Sequence, residues 1–386
     1  MSDNVSQFDG SQKTGLWKRI LLLILILLLI AACVAAYVFR DRLNLESLRR
    51  TVRYLNVKGD SGAGQFSFDE NKTNQYVAFG DGLAVVSTTG VAAYTEKGQE
   101  FSLTQMPLVS PAVRTGEKTV LAFDAGGNRL IAVSTKSGPV LDLTTEKPIL
   151  DADVSDDGCV CYAGSEPGYK SVLYVYNEDQ ALVYRWLSSS QFMPICAVSE
   201  KAQRLAAVTL GQKDGMFESS VTVFATSGEE AEAVWPVSND MLFDLSFTGE
   251  DTLCAVGENA AYWFGGSGEL KKYDYADCYL KDYDLTGSGF LALILNMYKA
   301  GNRCTVVTVD ETGEELGSAE VTQQILGFSA AGEYVAVLTT DMLTIYDKTM
   351  SVFARKENAS GATDVVMRAD GTAILLAEDR GELYIP

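Results

Sequence analysis

After residue 75 the chain sets short apolar runs against brief polar turns, and the same phrase returns at a nearly fixed interval. "DADVSDDGCVCYAG", "ICAVSEKAQRLAAVT", "LFDLSFTGEDTLCAVG", "KDYDLTGSGFLALIL", "ILGFSAAGEYVAVLT" and "TDVVMRADGTAILLA" each read as a strand, a turn and a second strand. Aligned on the residues that open the turns (Ser155, Ser199, Ser246, Thr286, Ser329 and Arg368), they lie 44, 47, 40, 43 and 39 residues apart. A third strand rich in β-branched and aromatic residues follows, as in "SVTVFATSGE" and "MLTIYDKTM". The fourth is more polar, as in "LKKYDYAD", which suits an exposed edge. A period near forty built from strands alone predicts an all-β propeller of four-stranded blades over 75–386.

Two looser units, "QYVAFGDGLAVVSTTGVAAYTEKGQEFSL" and "PAVRTGEKTVLAFDAGGNRLIAVSTKSGPVLDL", bring the count to eight blades, with seven as the alternative. The last unit ends at "GELYIP" after three strands. A ring without a free edge needs its fourth strand from elsewhere, and "QFSFDE", 65–70, is the candidate within a linker and closing segment at 58–74.

The N-terminal sixty residues follow a different pattern. A short tail, 1–19, precedes Ile20–Phe39, "ILLLILILLLIAACVAAYVF", twenty residues without a charge. As a helix this run covers about 30 Å, the thickness of a hydrocarbon core, so the sequence predicts a single membrane-spanning helix. Leu45, Leu48, Val52 and Leu55 then mark one apolar stripe of a juxtamembrane amphipathic helix over 40–57. Six cations, Arg40, Arg42, Arg49, Arg50, Arg53 and Lys58, follow the span against three before it, which taken literally puts the body in the cytoplasm. The order of short tail, Lys18-Arg19, apolar run and large domain is instead that of a signal anchor with an exported body. We expect the extracytoplasmic placement; the alternatives are the cytoplasmic face, or a lipoprotein attached through Cys33 in "IAAC".

The strand-to-turn phrases "VTVDETGEE" and "VFATSGEE" resemble those of WD40-like and quinoprotein-like β-propellers, over residues 75–386. With the anchor, the chain resembles a family of membrane-anchored propellers from Gram-positive bacteria that is classed as a domain of unknown function. That resemblance implies a fold and no activity. The WD40 hallmark is missing, since the chain has no His and no Trp-Asp at a blade end, and "SDDGCVCY" is one residue short of a sialidase Asp-box and lacks its Trp.

Composition narrows the chemistry. The net charge of −20 divides unevenly, with nine Lys and Arg against four Asp and Glu in 1–58 and twenty-two against forty-seven beyond. So acidic a body argues against nucleic acid as a partner. The absence of His removes imidazole bases, Ser-His-Asp and Cys-His nucleophiles and His-ligated zinc together. Of seven Cys, only Cys159 and Cys161 are close in sequence, no CxxC occurs, and most sit in apolar runs as small buried hydrophobes.

Two residues before the turns, the first strands carry Asp153, Ala197, Asp244, Asp284, Gly327 and Val366. Asp153, Asp244 and Asp284 are the candidate ligand-binding residues, facing a central channel; the structural alternative has them bonded to backbone amides of adjacent turns. "DADVSDDG" misses the calcium-loop pattern, with Asp156 where Gly belongs and Tyr162 where Glu belongs. Asp282 and Asp284 form a same-face carboxylate pair of the kind glycosidases use, and Tyr273, Tyr275, Tyr279 and Tyr283 suggest an exposed contact surface. No catalytic residue, metal ligand or cofactor is assigned. The expected function is a non-catalytic scaffold at the cell surface that binds a protein or a cell-wall polymer. The alternative is a carboxylate-dependent hydrolase or lyase at the channel mouth.

Overall fold

The computed structural model describes Leu21–Leu23 and residues 64–386, apart from 214, 250, 266–269 and 360. Leu21–Leu23 is helical; the rest of the expected membrane segment, the amphipathic stretch 40–57 and 58–63 lie outside the described residues. No helix among the described residues is long and apolar enough to cross a membrane. The chain divides into two compact units, Met1–Asn56 and Val57–Pro386, and the second holds every described strand.

This second unit is an eight-bladed propeller of four-stranded antiparallel sheets. Seven blades use four consecutive strands each, from the blade of β2 (Gln75–Phe79) to that of β26 (Ile325–Ala331). The eighth takes β30 (Asp364–Met367), β31 (Ala373–Leu376) and β32 (Arg380–Tyr384) from the C-terminal end. Its fourth strand is β1 (Gln65–Ser67), which pairs with β32 in the register Gln65↔Glu382, Phe66↔Gly381 and Ser67↔Arg380. Phe66 is buried and meets Tyr94 of the first blade edge-on, with ring centroids 6.2 Å apart. Gly381 packs closely opposite it: a Cβ there would lie 3.3 Å from both Phe66 Cβ and Leu376 Cδ2, a tight fit.

Burial explains the recurring phrase. Middle strands such as Thr119–Asp124, Ala260–Phe264 and Phe290–Asn296 are buried at every position, so they read as continuous apolar runs and not as alternation. Outermost strands such as Leu270–Asp274 and Val352–Glu357 alternate between half-buried and exposed. Each hydrophobic cluster draws on two neighbouring blades: one joins Val208 and Val221 to Leu245 and Phe264, another Leu291 and Val307 to Cys254 and Trp263. A blade therefore completes its core only against its neighbours. The six described cysteines are free, four of them buried; Cys159 and Cys161 share one inter-blade cluster, with Cys161 Sγ 3.6 Å from Cys196 Sγ.

First strands of successive blades touch one another around the ring and so line its axis. Five of them carry a register shift at the same place: β10 (Ile149–Val154), β14 (Phe192–Val198), β18 (Leu242–Phe247), β22 (Tyr279–Asp284) and β26. A bulge bends a strand and re-aims the side chain that follows it. The residues at that place are Asp151, Ile195, Asp244, Asp282 and, without a side chain, Gly327.

Candidate functional site in the axial channel

The bulges sort the axial acids into two tiers. Asp151, Asp244 and Asp282 directly follow a bulge, and Asp364 opens β30 at the matching level. Asp153 and Asp284 lie two residues further, level with Ser329. Asp244 is thus not the counterpart of Asp153 and Asp284 that the aligned turns imply. Its blade closes the first hairpin at Thr248, whose N–H donates to the Thr252 carbonyl, and Ser246 is a strand residue paired with Cys254. The displacement is two residues, so Asp244 still points to the axis.

In the second tier, each side chain accepts an amide from the next blade. Val198 N donates to Asp153 Oδ2 at 3.0 Å, Ala330 N to Asp284 Oδ2 at 2.7 Å, and Met367 N to Ser329 Oγ at 3.0 Å. Thr286 N donates to the other oxygen of Asp284 at 2.8 Å. These acids staple blade to blade. In the first tier, Asp244, Asp282 and Asp364 each accept the amide of the following residue, at 2.9, 2.9 and 2.8 Å. Asp151 accepts Cys196 N at 3.1 Å. A Cβ on Gly327 would come within 2.7 Å of Asp364 Oδ1, so this position of the tier has no room for a side chain.

One cation answers the acids. Arg114, from β6 (Pro111–Thr115) in the second blade, sends Nη2 to Asp244 Oδ1 in the fifth at 2.9 Å. The same nitrogen lies 3.8 Å from Asp151 Oδ1 in the third. Tyr283, in the sixth blade, donates its hydroxyl to Asp244 Oδ2 at 2.8 Å. Three blades thus meet at one guanidinium, and the Asp244 carboxylate brings in a fourth. Burial alone would lower the Arg114 pKa, but Asp244, Asp151 and Asp153 outweigh it and hold the group more firmly protonated than usual. Burial pushes Asp151 up to about 7 against the pull of Arg114, with Asp244 adding to the rise. Burial likewise lifts Asp153 and Asp364 to about 6, and raises Asp284 in spite of its amide and Thr286 partners. Because 37% of the Arg114 side chain stays open to solvent, the pair is screened and weaker than a dry ion pair.

Arg114, Asp151 and the inward role of Tyr283 are not apparent from the repeats. The available signal was an arginine in the first strand "PAVRT" of a chain in which four other first strands carry acids. Of the four tyrosines expected on an outer contact surface, only Tyr279 is well exposed, at 44%. Tyr275 is 2% exposed, Tyr273 is half-buried against Tyr275 and Cys278, and Tyr283 turns inward. Asp282 and Asp284 do share a strand face, but each is engaged by amides. Among the described residues, no group of three or more Cys, Asp or Glu is placed to hold a metal ion.

A family model described as a family of unknown function, DUF5711, matches residues 55–381. The chain belongs to the DUF5711 family. No curated protein matches it. Among solved structures it is similar to the C-terminal WD40 domain of Sif2, with a TM-score of 0.54 and 12% identity over 85% of this chain and 96% of that one. At this identity the likeness shows the fold alone: this DUF5711 chain is a WD40-like propeller. Altogether 861 solved chains match, and a fold so widely used carries no single activity.

The two mouths of the DUF5711 ring differ. Apart from Leu21–Leu23 and the outermost strands, every exposed large apolar side chain among the described residues lies at one mouth, where first strands begin and second hairpins turn. Val109, Phe192, Met241, Tyr279, Met297 and Tyr298 are among them. The longest hairpin, Arg204–Lys213 with Met216–Ala225, turns at the same mouth.

Proposed function

We propose that this DUF5711 protein is a non-catalytic binding scaffold, held at the cell membrane by its N-terminal apolar segment and presenting the apolar mouth of its propeller to a protein partner outside the cytoplasm. The segregation of exposed apolar side chains to one mouth supports this reading, because large apolar groups gathered on one exposed face mark a contact site. The axial acids support it differently: they are engaged with amides and with Arg114, which is a structural use of a carboxylate. One observation favours the hydrolase or lyase alternative. Asp151 is lifted to about 7, the range of a general acid at neutral pH. Yet its oxygens face Cys196 N and Arg114, and its side chain is only 11% exposed.

Photo-cross-linking in cells tests the scaffold. A photoreactive residue at Met297 or Phe243 is expected to give a discrete adduct, and the same residue at Asp157, in a first-hairpin turn of the opposite mouth, none. Equal labelling from both mouths, or none from either, overturns the reading. Sidedness is read in parallel with Asp179→Cys in a Cys159→Ser, Cys278→Ser background; an impermeant thiol reagent on intact cells should label it.

A further inference from the structure

The molecule carries a second candidate site, away from the axis and independent of the mouth. Between the second and third blades a groove of about 470 Å³ opens beside the crossover from β9 (Gly138–Thr144) to β10. Its floor is the face of the third blade. There the pairing Tyr162↔Tyr174↔Arg185 sets two rings and a guanidinium in a row across β11 (Val160–Glu166), β12 (Tyr169–Tyr176) and β13 (Leu182–Ser188). Tyr176 stands two residues along on the same face. Tyr162 and Tyr176 are stacked at 12° with centroids 6.3 Å apart, and Tyr162 and Tyr174 are 5.1 Å apart. Tyr162 and Tyr174 are each only 8% exposed and belong to the core shared by the second and third blades, so they back Tyr176, the half-buried ring of the three.

The rim is polar. Glu166 accepts the Tyr174 hydroxyl, which orients both groups, and Glu146 and Ser165 stand nearby. Arg185 is exposed and forms no ion pair among the described residues. The floor strands β11 and β12 are hydrogen-bonded on both sides, so the floor offers ring faces and side-chain groups but no free backbone edge. An extended peptide gains its affinity from such an edge. A ligand with an apolar face and a girdle of hydroxyls needs ring platforms flanked by donors and acceptors.

We infer that this groove binds a short oligosaccharide, a sugar ring packing on Tyr176 while its hydroxyls meet Glu166 and Arg185. The inference does not rest on the scaffold reading, and either can fail alone. The test is calorimetric titration of the full-length chain, kept in a sugar-free detergent, with cellotetraose, chitotetraose and maltotetraose. At least one should bind, and Tyr176→Ala and Arg185→Ala should each weaken it about tenfold, the loss expected for one ring or charge contact. Tyr174→Phe, which keeps the ring and frees Glu166, should weaken it less, while Phe353→Ala on the outermost strand of another blade should leave it unchanged. The inference is overturned if none of the three sugars binds, if binding survives both groove variants, or if a decaproline peptide binds there in place of the sugars.

Discussion

Asp151 links the axial geometry to an observable. Its carboxyl titrates near 7 in the folded chain, against an ordinary value near 4, because burial disfavours the charge more than Arg114 relieves it. A carboxyl raised in this way favours the folded state while protonated. Its contribution is complete below about pH 4 and lost as pH rises through about 7. Asp153 and Asp364, lifted to about 6, act in the same sense over a lower window. Thermal unfolding is therefore expected to show greater stability at pH 5.5 than at pH 8. Asp151→Asn keeps an acceptor for Cys196 N and removes the charge, so it should flatten the upper part of that slope, by on the order of 1–3 kcal/mol. An unchanged slope in the variant would show that Asp151 does not titrate in this window. None of this was legible from the repeats. Asp151 lies two residues ahead of the column they define, directly after a bulge, and Arg114 reaches it only once the second and third blades are folded side by side.

At the scale of the strand, much was legible, for a physical reason. Strands buried on both faces must be apolar throughout, and a strand at an outer edge must alternate, so the order within each blade is written in the composition of its runs. Bulges leave no such mark. An extra residue in a first strand costs nothing in hydrophobic pattern, and Ser246 mimics a turn opener because a serine two positions earlier has the same parity. The acids themselves looked equally suited to ligand or backbone, and only geometry distinguishes the two uses. Asp284 makes the distinction testable. It joins the sixth blade to the seventh through Ala330 N while burial penalises its charge. Asp284→Ala orphans that amide and should cost about 1–3 kcal/mol in denaturant unfolding. Asp284→Asn retains an acceptor and should cost under about 1 kcal/mol. Equal losses in the two variants would mean that the charge, and not the staple, is what the fold requires.

As a whole, the propeller is a ring whose two ends hold each other. Seven blades are local in sequence, but the eighth exists only if residues 65–67 return to β32 across the rest of the chain. Sealed in this way, the propeller can hold charges on its axis and offer one mouth to a partner; unsealed, it would expose the long edge of β32 to other chains. The closing strand could be read from the sequence because the last unit runs short by one strand, whereas its register, with Phe66 opposite Gly381, could not. Hydrogen exchange of the full-length chain measures the seal directly. Phe68 N donates to the Asp379 carbonyl at 3.1 Å and Leu383 N to the Gly64 carbonyl at 3.2 Å. The amides of Phe66 and Phe68, which face β32, and those of β32 itself should be protected and should open in one cooperative step with β31. Exchange of the Phe66 and Phe68 amides at the rate of free peptide, while β31 stays protected, would contradict the closed ring.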